Sequence, residues 1–256
     1  MNNWDKVYQY FRVQGIPHQV LSTICIRREE ATQISSIIEK ISAQTILEVG
    51  TFIGLSTGVI GLASLPGSTF VCIDPNLPVA ALTSHFNDTE SRGTLDFVRK
   101  MLGHFGLDQR TIVLEGFFSR FPAWAKEKII AQGSDPAQVT IIREEVGKYA
   151  PYNLVFMDGD HDADAVYSDL TLICPYLAQD GIIVLHDVNK AWEWGEQVQK
   201  GIAYFIEIHP EFSLITDHNL GFLSRDNDKS WFVRQKNPPI IKKVKRKVES
   251  LLNACI

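Results

Sequence analysis

Ile46-Leu47-Glu48-Val49-Gly50-Thr51-Phe52-Ile53-Gly54-Leu55-Ser56-Thr57 is the stretch on which the fold turns. A run of strand formers ends at Val49, a glycine turn follows, and a helix starts near Leu55. Gly50 allows a sharp turn and lets the backbone approach a ligand with no Cβ in the way. The helix start offers free N–H groups to a carboxylate, with Thr51 and Ser56 on the same candidate surface. The dinucleotide fingerprint G-x-G-x-x-G fails, because Phe52 and Leu55 stand at its second and third glycine positions. An acid before the turn, Glu48, suits a cationic ligand such as an aminoacyl sulfonium better than a pyrophosphate.

Outward from this turn, short apolar runs alternate with helical patterns, which predicts βαβ units and a mainly parallel sheet. The spacing places strands at Thr45–Val49, Thr69–Asp74, Thr111–Glu115, Leu154–Met157 and Ile182–His186. They lack polar alternation, as strands covered on both faces do. Phe97, Met101, Leu102 and Phe105 share one helix face, as do Val166, Leu170 and Ile173 within a helical stretch over 162–177 whose turn Pro175 disrupts. A helix over 27–41 carries Ile34, Ile37, Ile38 and Ile41. After a helix at Gly195–Ile208, closely spaced runs at Phe212–Thr216, Leu220–Ser224 and Trp231–Val233 predict an antiparallel edge hairpin. Residues 122–150 form a connection longer than the usual 2–6 or so and are expected to hold a helix over the site.

Asp74 closes the second strand twenty positions after Gly54. An acid there accepts both ribose hydroxyls of a nucleoside; the plainer alternative is a turn-forming Asp before Pro75. Asp158-Gly159-Asp160-His161 and His186-Asp187 follow the fourth and fifth strands, where open parallel sheets bind ligands. Tyr167 reads as packing, while Trp192 and Trp194 suit a substrate wall or plain packing equally.

Together Glu48-x-Gly50-x-x-x-Gly54, Asp74, Glu115-Gly116, Asp158-Gly159-Asp160-His161 and Gly181-x-x-x-x-His186-Asp187 resemble the class I S-adenosylmethionine-dependent methyltransferases. The similarity is greatest to small-molecule O-methyltransferases of the macrocin O-methyltransferase and cephalosporin-hydroxylase-like group, over about 27–224. It implies a Rossmann-like seven-stranded sheet of order 3-2-1-4-5-7-6, the seventh strand antiparallel, with helices on both faces. It implies S-adenosylmethionine facing Glu48, Gly50 and Gly54, its ribose on Asp74, its adenine beside Gly116 and Phe117, and its reacting end near Asp158. His161 matches the group's general base, whose neutral form near pH 7 would take a hydroxyl proton. A divalent metal, Mg²⁺ or Mn²⁺, would sit on Asp158, His186 and Asp187, although His186 stands where the group has an acid, which either favours softer ions or marks a site that binds no metal.

The expected organisation is an N-terminal helical cap over 1–42, a methyltransferase domain over 43–237 with an insert at 122–150, and a basic amphipathic helix over 238–256. That terminal stretch carries Lys242, Lys243, Lys245, Arg246 and Lys247 against Glu249, so the rest is more acidic than the whole-chain net charge of −5. An acidic body speaks against nucleic acid as a partner. The terminal helix reads as docked on that body, with association at a membrane surface as the alternative. With 45% hydrophobic and 21% charged residues the composition is that of a globular protein. Four scattered cysteines without metal spacing, no basic n-region and no apolar run of about 18 residues give a cytoplasmic expectation. The expected partner is a hydroxylated small molecule, and a homo-oligomer is compatible with the sequence. N- or C-methylation on the same fold, or a non-catalytic nucleoside-binding module, are the competing functions.

Overall fold

The computed structural model describes residues 1–77, 93–119, 141–192, 194–225 and 230–232. Three helices come first: α1 (Asn3–Val13), α2 (His18–Thr23) and α3 (Arg28–Ile41). The alternating part runs β1 (Thr45–Val49), α4 (Leu55–Ala63), β2 (Thr69–Asp74), α5 (Thr94–Phe105) and β3 (Thr111–Glu115). It continues through α6 (Arg143–Gly147), β4 (Tyr152–Met157), α7 (Ala163–Ile173), a 3₁₀ turn (Cys174–Tyr176) and β5 (Leu177–Leu185). Last come α8 (Gly195–Ile208), β6 (Ser213–Asp217) and β7 (Leu220–Ser224).

The seven strands lie in the order β3-β2-β1-β4-β5-β7-β6. All pairings are parallel except β5 with β7 and β7 with β6. This is the Rossmann-like arrangement expected from the sequence.

Period-2 side-chain direction sorts each strand between two cores. Ile46, Phe70, Phe156 and Val184 face a layer formed with Val7, Ile34, Ile37, Val59 and Met101. Leu47, Val71, Val155 and Ile183 face the other, with Val166, Leu170, Val198 and Phe205. Burying each such side chain contributes about 1.5–3 kcal/mol, which is why apolar runs mark these strands. Arg110 ties the sheet to α4 by donating to the carbonyls of Gly61, Ser64 and Leu65 at the end of that helix, groups that no helical partner can satisfy.

Several boundaries differ from the sequence reading. β4 begins at Tyr152 and β5 at Leu177, because these two residues pair ahead of a register shift, after which Leu154 pairs with Ile182. The helix expected over 162–177 ends at Ile173; Pro175 lacks the N–H an α-helix needs and forces a 3₁₀ turn. Trp231 and Phe232 are not in a strand: they pack against Phe222 as part of the first core. The N-terminal segment holds three helices where one was predicted, and α1 and α3 pack against α4. Of the 122–150 insert, 120–140 lie outside the described residues, and 141–150 contain the short α6. The terminal stretch 238–256 lies outside them as well. Among the described residues no helix is long and apolar enough to cross a membrane.

Candidate active site

The carboxyl ends of β1, β2, β4 and β5 meet through main-chain hydrogen bonds. Gly50 N–H donates to Ile73 O at 2.9 Å, Asp158 N–H to Val49 O at 2.8 Å, and His186 N–H to Met157 O at 3.0 Å. Gly50 adopts φ +87°, and a Cβ there would stand 2.1 Å from the Asp158 carbonyl oxygen. The turn after β1 and the end of β4 therefore touch, and only glycine permits it.

On the β1–β2 side, Thr51, Gly54 and Ser56 line the buried turn and helix start, with Gly54 at φ +98°. The Asp74 carboxylate stitches this turn together. Its Oδ2 accepts from Thr51 N–H (3.2 Å) and Phe52 N–H (2.9 Å), its Oδ1 from Asn76 N–H (2.8 Å) and the Thr94 hydroxyl (2.6 Å). Burial pushes its pKa up, and these four donors restrain the rise. Four bonds use about the full acceptor capacity of a carboxylate. Asp74 thus holds the turn at least as firmly as the sequence reading has it holding a ribose. Gly116 N–H donates to Asp74 O at 3.0 Å, which puts the end of β3 beside Asp74, while Phe117 O accepts from Ile142 N–H at 2.9 Å.

Glu48 behaves differently from the expectation of an anionic partner for a cation. It is fully enclosed, and neither carboxyl oxygen has a well-formed hydrogen bond. Burial pushes its pKa up to about 8, offset only partly by the nearby Ser56 and Thr57 hydroxyls. At neutral pH it is mostly the uncharged acid, as a carboxyl without a partner in a low dielectric must be.

On the β4–β5 side four groups converge. His161 Nε2 lies 3.0 Å from Asp187 Oδ2 and 3.5 Å from Asp158 Oδ1. His186 Nδ1 lies 3.3 Å from the same two oxygens. Asp187 takes φ +55° and accepts from Asn219 Nδ2 at 2.7 Å, which aims its carboxylate inward. Burial disfavours the charged form of His161, but the two aspartates outweigh it and push its pKa up to about 10. Burial is likewise outweighed at Asp158, held down at about 2 by His186 and His161, and at Asp187, held well below the usual carboxylate range. The expectation of a neutral His161 near pH 7 is corrected here: two carboxylates on one imidazole keep it protonated.

One oxygen each of Asp158 and Asp187 and a ring nitrogen of His161 lie within 4.8 Å of one another. His161 Nε2 and His186 Nδ1 thus both stand within 3.5 Å of the two carboxylates. His186 is buried, its Nε2 turned away to Glu30 at 3.2 Å. The sequence reading missed Glu30 and Asn219. Glu30 lies four residues before Ile34 on the buried face of α3, which is the signal that could have found it.

Trp194 lies nearly parallel to the His161 ring, centroids 6.0 Å apart, and is half exposed. The Arg27 guanidinium sits 4.2 Å over the Trp192 ring. Trp194 thus borders the cluster from the connection after β5, whereas Tyr167 packs on the second core.

Comparison with known proteins gives one family match: the methyltransferase-domain family covers residues 47–188. No curated protein matches the sequence. Among solved structures, the chain is similar to an O-methyltransferase from Bacillus cereus in complex with SAH, at 16% identity and TM-score 0.54, covering 86% of this chain and 88% of that one. It is also similar to an O-methyltransferase from Streptomyces achromogenes involved in tomaymycin synthesis, in complex with SAM, at 17% identity, TM-score 0.52, and 87% and 88% coverage. An SAH-bound methyltransferase from Podospora anserina aligns at 11% identity, TM-score 0.58, covering 89% of each chain. At such identities the likeness speaks for the fold.

Proposed function

The chain belongs to this methyltransferase family, and on that premise we propose that it transfers a methyl group from S-adenosylmethionine to a hydroxyl oxygen of a small molecule. In this reaction the acceptor oxygen forms a bond to the methyl carbon as the carbon–sulfur bond breaks. The sulfonium leaves as the thioether of S-adenosylhomocysteine, and the hydroxyl proton passes to a base. Since the donor is already activated, alignment supplies most of the rate.

The observation that carries this reading is His161, held between Asp158 and Asp187 beside the Gly50 turn. In its neutral form, the minor one near pH 7, the imidazole has a ring nitrogen open to the acceptor's proton, and the two nearby carboxylates stabilise the imidazolium formed. Methyl transfer from labelled S-adenosylmethionine across a panel of hydroxylated acceptors tests the proposal. Binding of S-adenosylhomocysteine with no transfer to any of them would favour a non-catalytic module instead.

The cofactor side rests on Gly50, Thr51, Gly54, Ser56, Asp74, Gly116 and Phe117. Asp74→Ala should weaken S-adenosylhomocysteine binding tenfold or more, since the turn after β1 loses the carboxylate that holds it and hydrogen bonds to charged groups contribute about 1.5–3 kcal/mol each. It should also lower the melting temperature, because the amides of Thr51 and Phe52 lose their acceptor. Calorimetric titration of the folded variant checks this; unchanged affinity would remove Asp74 from the cofactor site.

The residues present also fit a divalent ion. Two carboxylate oxygens and one imidazole nitrogen, from Asp158, Asp187 and His161, form a converging donor set suited to Mn²⁺ or Mg²⁺. Such an ion would supply Lewis-acid polarisation of the acceptor hydroxyl, with His161 then serving as a ligand in place of a base. Chelation separates the two forms. If a metal operates, chelator should abolish transfer and added Mn²⁺ should restore it in the wild type but not in Asp187→Asn. Full activity in chelator assigns His161 to the proton.

A further inference from the structure

Glu30 belongs to α3, ahead of the 47–188 span that matches the methyltransferase family, yet it reaches the acid–imidazole cluster. It is 2% exposed. Its Oε2 accepts from the Arg27 backbone N–H at 2.6 Å, the reciprocal half of an N-terminal cap, and so cannot swing freely. The same oxygen lies 3.2 Å from His186 Nε2. The opposite ring nitrogen, Nδ1, is 3.3 Å from both Asp158 Oδ1 and Asp187 Oδ2, the two oxygens that also flank His161. One turn along the helix, Gln33 Nε2 donates to Asp217 Oδ2 at 3.0 Å, fixing α3 against the β6–β7 hairpin that carries Asn219.

From this chain of contacts we infer that Glu30 is a positioning residue of the active centre: by fixing the His186 ring it sets the spacing of Asp158 and Asp187 around His161. Two like charges drawn toward one imidazole repel each other, and a second imidazole between them counters that only if its ring plane is held. A ring with one nitrogen at a carboxyl and the other at the acid pair has a single orientation. Without Glu30, His186 can turn about its side-chain bonds, and the acid pair relaxes away from His161. Outer partners of this kind orient the groups that do the chemistry.

Nitrogen-15 histidine spectra of the full chain with S-adenosylhomocysteine test the inference, with His186 assigned through His186→Asn. Wild type should show a slowly exchanging His186 Nε2–H. Glu30→Gln, whose amide oxygen still accepts, should keep it, while Glu30→Ala and Glu30→Asp should lose it and shift the His161 ring signals. Glu30→Asp preserves the charge and serves if Glu30→Ala does not fold. His161 signals unchanged in the shortened variants would overturn the inference. In turnover, which rests on the proposed function, Glu30→Asp should lose about tenfold in kcat with KM and S-adenosylhomocysteine affinity within about twofold. Glu30→Gln should recover most of that rate. Full kcat in Glu30→Asp also overturns the inference. A wild type that methylates no acceptor defeats the proposed function alone, and the spectra still decide on Glu30.

Discussion

His161→Ala is expected to reduce turnover by about 10²–10⁴-fold, the range of a general base, with S-adenosylhomocysteine affinity within about twofold of wild type. The separation follows from placement. His161 faces Asp158 and Asp187 after β4 and β5, whereas the proposed cofactor contacts lie along the β1 turn and β2. A pH dependence of fixed sign goes with it. A base must be unprotonated, and His161 holds its proton until about pH 10. The rate should therefore rise with pH through the neutral range and level off near that value. Steady-state kinetics over pH 6–10 or so, together with calorimetric titration, check both points. A variant with undiminished turnover across that range would show that the proton goes elsewhere.

Gly50→Ala should damage folding more than any other single methyl on the β1 turn. The added carbon would stand 2.1 Å from Asp158 O and 2.6 Å from Asp158 C, both backbone atoms that cannot rotate aside. The strand ends are also held by the Gly50–Ile73 and Asp158–Val49 hydrogen bonds. The positive φ adds roughly 1–2 kcal/mol for any residue with a Cβ. A total loss of about 3 kcal/mol or more is expected, hence a fall in melting temperature of roughly 6–12 °C for a chain of this size. Gly159→Ala is the control: its added carbon would lie 3.6 Å from Val49 Cγ1, an ordinary contact. Melting curves followed by circular dichroism decide the matter, and equal stability of the two variants would contradict the steric argument.

The fold was legible because β1, β2 and β4 are covered on both faces, so their apolar runs stand out with no need of alternation. The turn at Gly50 was legible because a backbone–backbone contact of that closeness excludes every other residue. What sequence could not supply was partnership across the chain. Glu30 meets His186, 156 positions away, and only the docking of α3 brings them together. The burial that pushes the Glu48 pKa up and the pair of aspartates that raises that of His161 likewise arise only in three dimensions. Trp231 was misread for a related reason: an aromatic run suits a strand or a core plug equally, and packing against Phe222 selected the plug.

The double anchorage of α3 bears on where this catalyst begins. Glu30 and Gln33 sit one turn apart on the same helix, and both bury their polar ends in the remainder of the molecule. Trimming the protein to its recognisable family segment would strip one carboxyl from His186 and one amide from Asp217 in a single cut. On the role proposed for Glu30, the smallest working unit extends ahead of the 47–188 segment that matches the family. Any graft of a foreign N-terminal region onto this sheet, made to retarget the acceptor, has to reproduce those two side chains before its own contribution can be judged.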